Sequence, residues 1–566
     1  MKRSILSRVL AVLMVMALAI SCMVACKPAT EESKIEEESK VEKELVTITF
    51  FTHGSDSDVA TKVWNYLNDY LATTDAKVKV EPHYLANSDY TTIMTSRLAA
   101  ETPTDVVYST SGMMDFQQSA GERYFKGLDE LIAEYGKGIL EVCPSFGLDA
   151  CRVNGTLYGL PTMKEWSAVY ALMWNDSVAE YLGFHDTLKN AKWNTMADME
   201  KIFYDLKAAR DADTEYGKTM KFDSYEYFNG AFTMQATQEY KDWIAANGLA
   251  GIKDAGLFNH WGGGNDLFTN VCNWWILDTL CATGIGVTVP GCPDFFAGKA
   301  ANTVFNAFDT DEYTNIVKTI KKWADDKIYT DYDTTDAALG ANAVALKGDK
   351  LQIMGATCGQ TSVSWNAGLG GATTTLFNSD CNASQVRFAT RSYIQASVMT
   401  IAFCSKNPER AMEYLNLIYT DQKLIDTFRL GIEGEHWNKN AEGRCEFVEG
   451  KGGSGGEGWY NWYGVNYGGN FLATTIPTEQ SATVMDELAS CSKIAAPSVA
   501  WDFDLDEISA EIAAMNNTVS TYMATLQQAQ AADVDAYLAT FRAQLASDGA
   551  EKVIAELQKQ VNAFAK

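Results

Sequence analysis

The chain has 566 residues, a formal charge of −27 at pH 7 and 47% hydrophobic residues. That length exceeds what one hydrophobic core usually supports, so two lobes or more are expected. The acidic balance disfavours nucleic acid and anionic polymers as partners and leaves neutral ligands open.

Lys2, Arg3 and Arg8 precede the apolar run VLAVLMVMALAI. Twelve residues fall short of the ~20 that a membrane-spanning helix needs, and the layout is that of a cleaved secretory signal over residues 1–25. Ala25-Cys26 then resembles a bacterial lipobox, in which Cys26 is lipidated and becomes the first mature residue. Cys22 is the runner-up, and a plain signal with incidental cysteines is the rival reading. From 26 to 45 the chain is Glu, Lys and Ser with almost nothing to bury, which predicts a disordered, extended tether.

Val46-Thr-Ile-Thr-Phe-Phe alternates as a strand does, and His53-Gly-Ser-Asp-Ser-Asp supplies a loop and a helix N-cap. Val59–Leu71 has helical spacing, with Val63, Leu67, Tyr70 and Leu71 on one face. Val78-Lys-Val-Glu-Pro is a second strand, Tyr90–Ala100 a second helix, and Asp105-Val-Val-Tyr a third strand. This alternation predicts a parallel, doubly wound α/β sheet, in which ligands sit at the carboxyl ends of the strands. The candidate site loops are therefore Thr52–Ser55, Tyr84–Asn87 and Tyr108–Gly112.

An aromatic strand over Ala168–Trp174 comes next, then helices over Met196–Arg210 and Thr310–Lys327. Strands are predicted at Leu351–Gly355 and Ile394–Phe403, and a helix at Pro408–Tyr419. The Gly- and aromatic-rich stretch Arg444–Gly469 reads as loop. Residues 505–566 read as helical, with Ile554, Leu557, Val561 and Phe564 on one face.

Of 12 cysteines, ten lie beyond the leader, and an extracellular chain could pair them. Cys143/Cys151 and Cys281/Cys292 are near enough to close small loops; buried free thiols are the alternative. Five scattered histidines, no CxxC and no HExxH make a metal site unexpected. No nucleotide-phosphate loop or serine-hydrolase elbow appears.

Several stretches together resemble the extracellular solute-binding lipoproteins of carbohydrate-type ABC importers, in particular the Gram-positive LplA-like branch. They are the lipobox, VTITFFTHG, DVVYSTSG, VNGTLYGLPTMKEW followed by AVYALMWN, and EYTNIVKTIKKWADDKIY. Further on come SKNPERAMEYLNLIYTD, LGIEGEHW and AWDFDLDEISAEIAAMNN with DGAEKVIAELQKQVNAF. The extra cysteines and the stretch Cys272–Gly298 depart from that pattern. The resemblance implies a bilobal, type II periplasmic-binding-protein-like α/β fold with a multi-crossing hinge and a helical C-terminal tail. Crossings are expected near Pro161–Ser167, Arg391–Gln395 and Gly431–Trp437. They give lobe one as 46–165 plus 393–435, and lobe two as 166–392 plus 436–566. A monomer is implied, anchored outside the cell membrane, with permease subunits and a separate ATPase as partners and no cofactor.

A sugar presents apolar C–H faces and a rim of hydroxyls, so its site needs flat aromatic rings with planar hydrogen-bonding groups around them. Trp166, flanked by Lys164 and Glu165, is the first platform candidate, with a core role under the hinge as its rival. Trp274-Trp275 puts neighbouring indoles where both can scarcely face one core, so one is a cleft candidate. Trp261 and Trp365 are weaker. Glu433 and Trp437 flank the third crossing, as ligand contacts or hinge elements. Trp459 and Trp462 read as staples of the Gly-rich loop before cleft caps. His53, Ser55, Asn87, Tyr108, Ser109 and Arg391 complete the polar candidates. A peptide or other small polar solute is an alternative ligand. Uronates fit less well with the charge, unless Lys164, Arg387 and Arg391 make the cleft locally basic. A surface adhesin and a glycoside hydrolase are the rival classes, although no paired-acid motif supports the hydrolase.

Overall fold

A computed structural model describes residues 43–565 except 111, 191–195, 213–226, 230–231, 235–257, 262–276, 281–283, 289–298, 329–350, 358–370, 376–387, 454–458, 460–463, 481 and 491–492. Cys26, Trp274, Trp275, Trp365, Arg387, Trp462, Cys281 and Cys292 fall outside the described residues.

The first sheet contains β1 (Val46–His53), β2 (Val78–Leu85), β3 (Val106–Ser109), β4 (Gly159–Pro161) and β5 (Val398–Ile401), in the order β2-β1-β3-β5-β4. β1 pairs in parallel with β2 and β3, as the βαβ pattern requires. β5 departs from that expectation, because it runs antiparallel between β3 and β4. It enters from a distant part of the chain, so no right-handed crossover has to carry it in parallel to its neighbours.

Helix α1 (Asp58–Leu71) starts where Ser57 Oγ accepts the Ala60 N–H at 3.0 Å, an N-cap that satisfies one of the otherwise orphaned amides. It buries Ala60, Val63, Trp64, Leu67 and Leu71, the stripe that its 3.6-residue period dictates. Helix α2 (Tyr90–Ala99) buries Tyr90, Met94 and Leu98 one turn apart. The Tyr90 hydroxyl donates to the carbonyls of Phe51, at 3.0 Å, and Tyr108, at 2.7 Å, so α2 is pinned to β1 and β3 together.

The predicted strand Ile394–Phe403 is shorter than expected. Thr390 caps a helical turn over Arg391–Ile394, and extended backbone starts only at Val398. The hydroxyl of Thr390 offers this backbone a local alternative to the sheet.

A second sheet centres on Ala168–Asn175, flanked by Leu351–Thr357 and Gly371–Thr375, both antiparallel to it, with Phe258–Trp261 outermost. Helix α3 (Asp311–Asp325), capped by Thr310, buries Tyr313, Ile316, Val317, Ile320 and Trp323. Helices α4 (Pro408–Thr420) and α5 (Gln422–Leu430) belong to the first core. The C-terminal region is three helices, α6 (Ser509–Gln527), α7 (Val534–Ser547) and α8 (Ala550–Phe564). Of the apolar face expected on α8, Leu557 and Val561 are buried, Ile554 is partly buried and Phe564 lies at the surface.

Among the described residues the two large hydrophobic cores are these. One gathers residues of β1–β5, α1, α2, α4 and α5; the other gathers α3, the C-terminal helices and Trp501. Trp166, Trp459, Tyr467, Ala496 and Val499, placed in lobe two by the sequence-based boundaries, pack in the first core. Among the described residues no helix is long and apolar enough to cross a membrane.

Candidate functional site

β1, β2 and β3 all end on one edge of the first sheet, at His53, Leu85 and Ser109. β4 ends there too, at Pro161, and β5 begins there at Val398, which lies opposite both Ser109 and Pro161. Strand direction therefore brings His53, Asn87, Tyr108, Ser109, Thr162, Lys164, Glu165 and Ser397 to the carboxyl edge, although they span more than half of the chain.

His53 and Asn87 meet there, with Nδ1 2.8 Å from Asn87 Oδ1. The His53 ring also lies 5.1 Å, centroid to centroid, from that of Tyr108. Burial holds the His53 imidazole below its ordinary pKa, opposed by the Asn87 hydrogen bond. Ser55 is exposed on the same loop. Tyr108 is buried, its hydroxyl bonded to the Ser397 side chain. Burial raises its pKa against Ser397 and the positive charge of Lys164. Ser397 Oγ in turn lies 2.7 Å from Thr162 Oγ1. Ser109 faces inward, and its hydroxyl donates to the Met114 carbonyl at 2.5 Å.

Trp166 sits in the core, the rival of the platform role: its indole is 1% exposed, packs edge-on against Phe146 at 5.6 Å and donates to the Thr162 carbonyl at 3.0 Å. Gly147 is what lets it sit so close, since a Cβ there would lie 2.5 Å from Trp166 Cη2. Lys164 and Glu165 are buried against each other, with Nζ 3.0 Å from the Glu165 carbonyl and 3.3 Å from Oε1. Burial raises the Glu165 pKa, and Lys164 opposes that shift.

Arg391 is tied to backbone of neighbouring segments. Its guanidinium donates to the carbonyls of Arg152 and Trp501 and lies 3.5 Å from Asp502. Trp437 is buried in a small cluster with Leu430 and Cys445, its indole donating to the Gly431 carbonyl at 3.0 Å, while Glu433 is exposed on the intervening turn. Trp459 acts as the staple, donating to the Phe428 carbonyl at 3.0 Å. Only the backbone of Trp261 is described, as the end of a strand. Cys143 and Cys151 are not bridged; they are buried free thiols, as are Cys404 and Cys445. Burial pushes the thiols of Cys143 and Cys445 up to about 12. Among the described residues no cluster of His, Cys, Asp or Glu is arranged to hold a metal ion.

The sequence reading missed a segment that lies along this edge. Asn466 accepts from Thr52 Oγ1 at 2.8 Å through its carbonyl, and donates from Nδ2 to the His53 carbonyl at 3.2 Å. Three residues on, the Gly469 carbonyl accepts the Met163 N–H at 2.9 Å. The buried Arg429 guanidinium fixes the segment from below by donating to the Gly468 carbonyl at 2.9 Å. Gly468 has φ +72°, and a Cβ there would fall 2.3 Å from Met399 Cγ. The Gly468-Gly469 pair was the available signal. Paired glycines in a long loop mark a backbone held close to other chain segments.

The comparisons with known proteins agree with this architecture. Residues 497–566 match a family model described as a domain of unknown function, DUF3502. Over 178 residues the chain is 30% identical to a Streptococcus pneumoniae serotype 4 protein named carbohydrate ABC transporter substrate-binding protein. That stretch is 30% of this chain and spans about a third, 35%, of the relative. The crystal structure of the N-glycan transport solute binding protein NgtS from S. pneumoniae superposes with a TM-score of 0.65 at 17% identity, covering 92% of this chain and 98% of that one. FusA, an ABC-transporter substrate binding protein of S. pneumoniae in complex with kestose, gives 0.55 at 14% identity over 92% and 99% of the two chains. An HMO-binding solute binding protein from Bifidobacterium longum infantis gives 0.54 at 14% over 93% and 100%. At these identities the likeness establishes the fold, which is the bilobal α/β fold of extracellular solute-binding proteins with a helical C-terminus.

Proposed function

We propose that this chain is the extracellular receptor of a carbohydrate-type ABC importer. It captures a mono- or oligosaccharide between its lobes and presents it to permease subunits driven by a separate ATPase. In this reading residues 1–25 are a signal peptide, Cys26 carries the lipid, and 26–45 tether a monomeric body to the outer face of a Gram-positive cell membrane, as in the LplA-like branch. No catalytic step belongs to it.

The observation that carries the reading is the convergence of His53, Asn87 and Tyr108 on the carboxyl edge of a first-lobe sheet. In α/β folds that edge is where small polar ligands are held. The pneumococcal relative's name and the NgtS complex with Man5GlcNAc support a saccharide as that ligand. Closure of one lobe on the other would supply the second wall and the shape that the permease reads.

A thermal-shift screen of the chain against mono- and oligosaccharides, peptides and amino acids tests this. Ligand at 100 times its Kd adds ~2.7 kcal/mol of stability. A shift confined to saccharides and lost in His53→Ala supports both function and site. A shift with peptides alone would keep the receptor and overturn the saccharide.

A further inference from the structure

We infer that His53, held by Asn87 and Asn466, presents Nε2 as a hydrogen-bond acceptor for a ligand hydroxyl, so that the site selects neutral saccharides over uronates. The inference rests on the saccharide reading and sharpens it.

Asn87 Oδ1 is a carbonyl oxygen and can only accept, so the 2.8 Å contact makes His53 Nδ1 the protonated nitrogen. A neutral imidazole protonated at Nδ1 has one acceptor left, Nε2. The backbone beneath the ring is fixed at two points by Asn466, through Thr52 Oγ1 and through the His53 carbonyl. The Tyr108 ring packs beside the imidazole at a tilt of 41°. Burial lowers the pKa of the ring and so favours its uncharged form, against the Asn87 hydrogen bond.

The charges around the edge point the same way. A carboxylate ligand needs a donor or a cation, whereas a hydroxyl can donate to a lone pair. Lys164 is buried against the carbonyl and carboxylate of Glu165. Arg391 is bound to two carbonyls and faces Asp502. Lys164 has a carboxylate partner in Glu165 and Arg391 has one in Asp502, so each cation already faces an acid of the chain itself. Asn87 and Asn466 act through His53, so they are positioning residues.

The test uses the full chain labelled with 15N-histidine, at neutral pH and without ligand. The His53 resonances, assigned by their loss in His53→Gln, should show a protonated Nδ1 and an unprotonated Nε2. Asn87→Leu should redistribute that tautomer while the melting temperature holds, a change that a merely structural role would not produce. The opposite tautomer, or an imidazolium, overturns the inference. Titration with Man5GlcNAc, kestose and an alginate oligosaccharide then reads selectivity. Binding of a neutral sugar over the uronate, weakened roughly tenfold in His53→Leu, supports it. Preference for the alginate oligosaccharide overturns it and leaves the saccharide reading standing. Absence of binding to any saccharide overturns both.

Discussion

Arg391 and Asp502 face each other at 3.5 Å, and the same guanidinium reaches the Arg152 carbonyl at 2.5 Å. Asp502 also accepts the Asn154 N–H at 2.5 Å. Two residues on, Asp504 exchanges two hydrogen bonds with Gln560 of α8, at 2.9 and 2.7 Å. Residues 501–504 thus strap the antiparallel hairpin of Arg152–Val153 and Thr156–Leu157 to the last helix of the second core. Arg391→Met leaves two carbonyls without this donor and removes the positive charge that faces Asp502. We expect a loss of about 2–4 kcal/mol in urea unfolding, with saccharide affinity nearly unchanged. Unchanged stability with lost affinity would return Arg391 to the list of ligand contacts.

Trp166→Ala should behave as a core truncation. Removing a fully buried indole costs about 3–5 kcal/mol, so the unfolding midpoint should drop sharply. Gly147→Ala should also destabilise, because its Cβ would meet the indole at 2.5 Å. A Trp166→Ala chain that melts like wild type yet fails to bind would show that the ring serves the ligand instead.

Acidification should weaken the fold through His436. Its side chain is 4% exposed, and Nδ1 accepts the Ile432 N–H at 2.8 Å, a bond that protonation at Nδ1 removes. Burial lowers its pKa in the folded chain, partly offset by Glu435. The unfolded chain therefore takes up the proton first, and stability rises with pH through this group. Its contribution is complete above the unfolded value of about 6.5 and is lost as pH falls from there through the folded value. Urea unfolding at pH 7.5 and 5.0 should show a smaller difference in His436→Asn than in wild type. Equal differences would mean that His436 does not couple to folding.

Cys143, Cys151, Cys404 and Cys445 should resist alkylation in the native chain and react once it is unfolded, without prior reduction. Thiols need to be accessible and ionised to react, and these four are buried. Mass spectrometry of chain alkylated with and without denaturant distinguishes the states. Alkylation that requires a reductant would reveal disulfides.

Much of the first lobe was legible in the sequence because its signals are local. Ser57 caps α1, the 3.6-residue stripe marks its buried face, and alternation marks β1. His53 and Asn87 were legible as site candidates because strand ends in such sheets point to one edge. Trp166 misled because a large aromatic beside two charged residues looks like a ligand platform. Its actual partners, Phe146 and Gly147, come from a short helix that periodicity cannot orient. Asn466 and Arg429 were invisible because each acts on residues brought near only by the completed fold, some 413 and 39 positions away.

The antiparallel placement of β5 between β3 and β4 has a consequence for biogenesis. The outer flank of β3, and the inner flank of β4, lack their sheet neighbour until residues 398–401 have emerged. An elongating chain must therefore deliver the whole stretch from Pro161 to Val398 while that edge is unpaired, the situation in which partly folded chains associate wrongly. Such long-range pairing also slows folding, since the loop must close before the contacts can form. The lobe that carries the candidate site is thus finished late, and a truncation anywhere before Val398 would leave the flank of β3 unpaired.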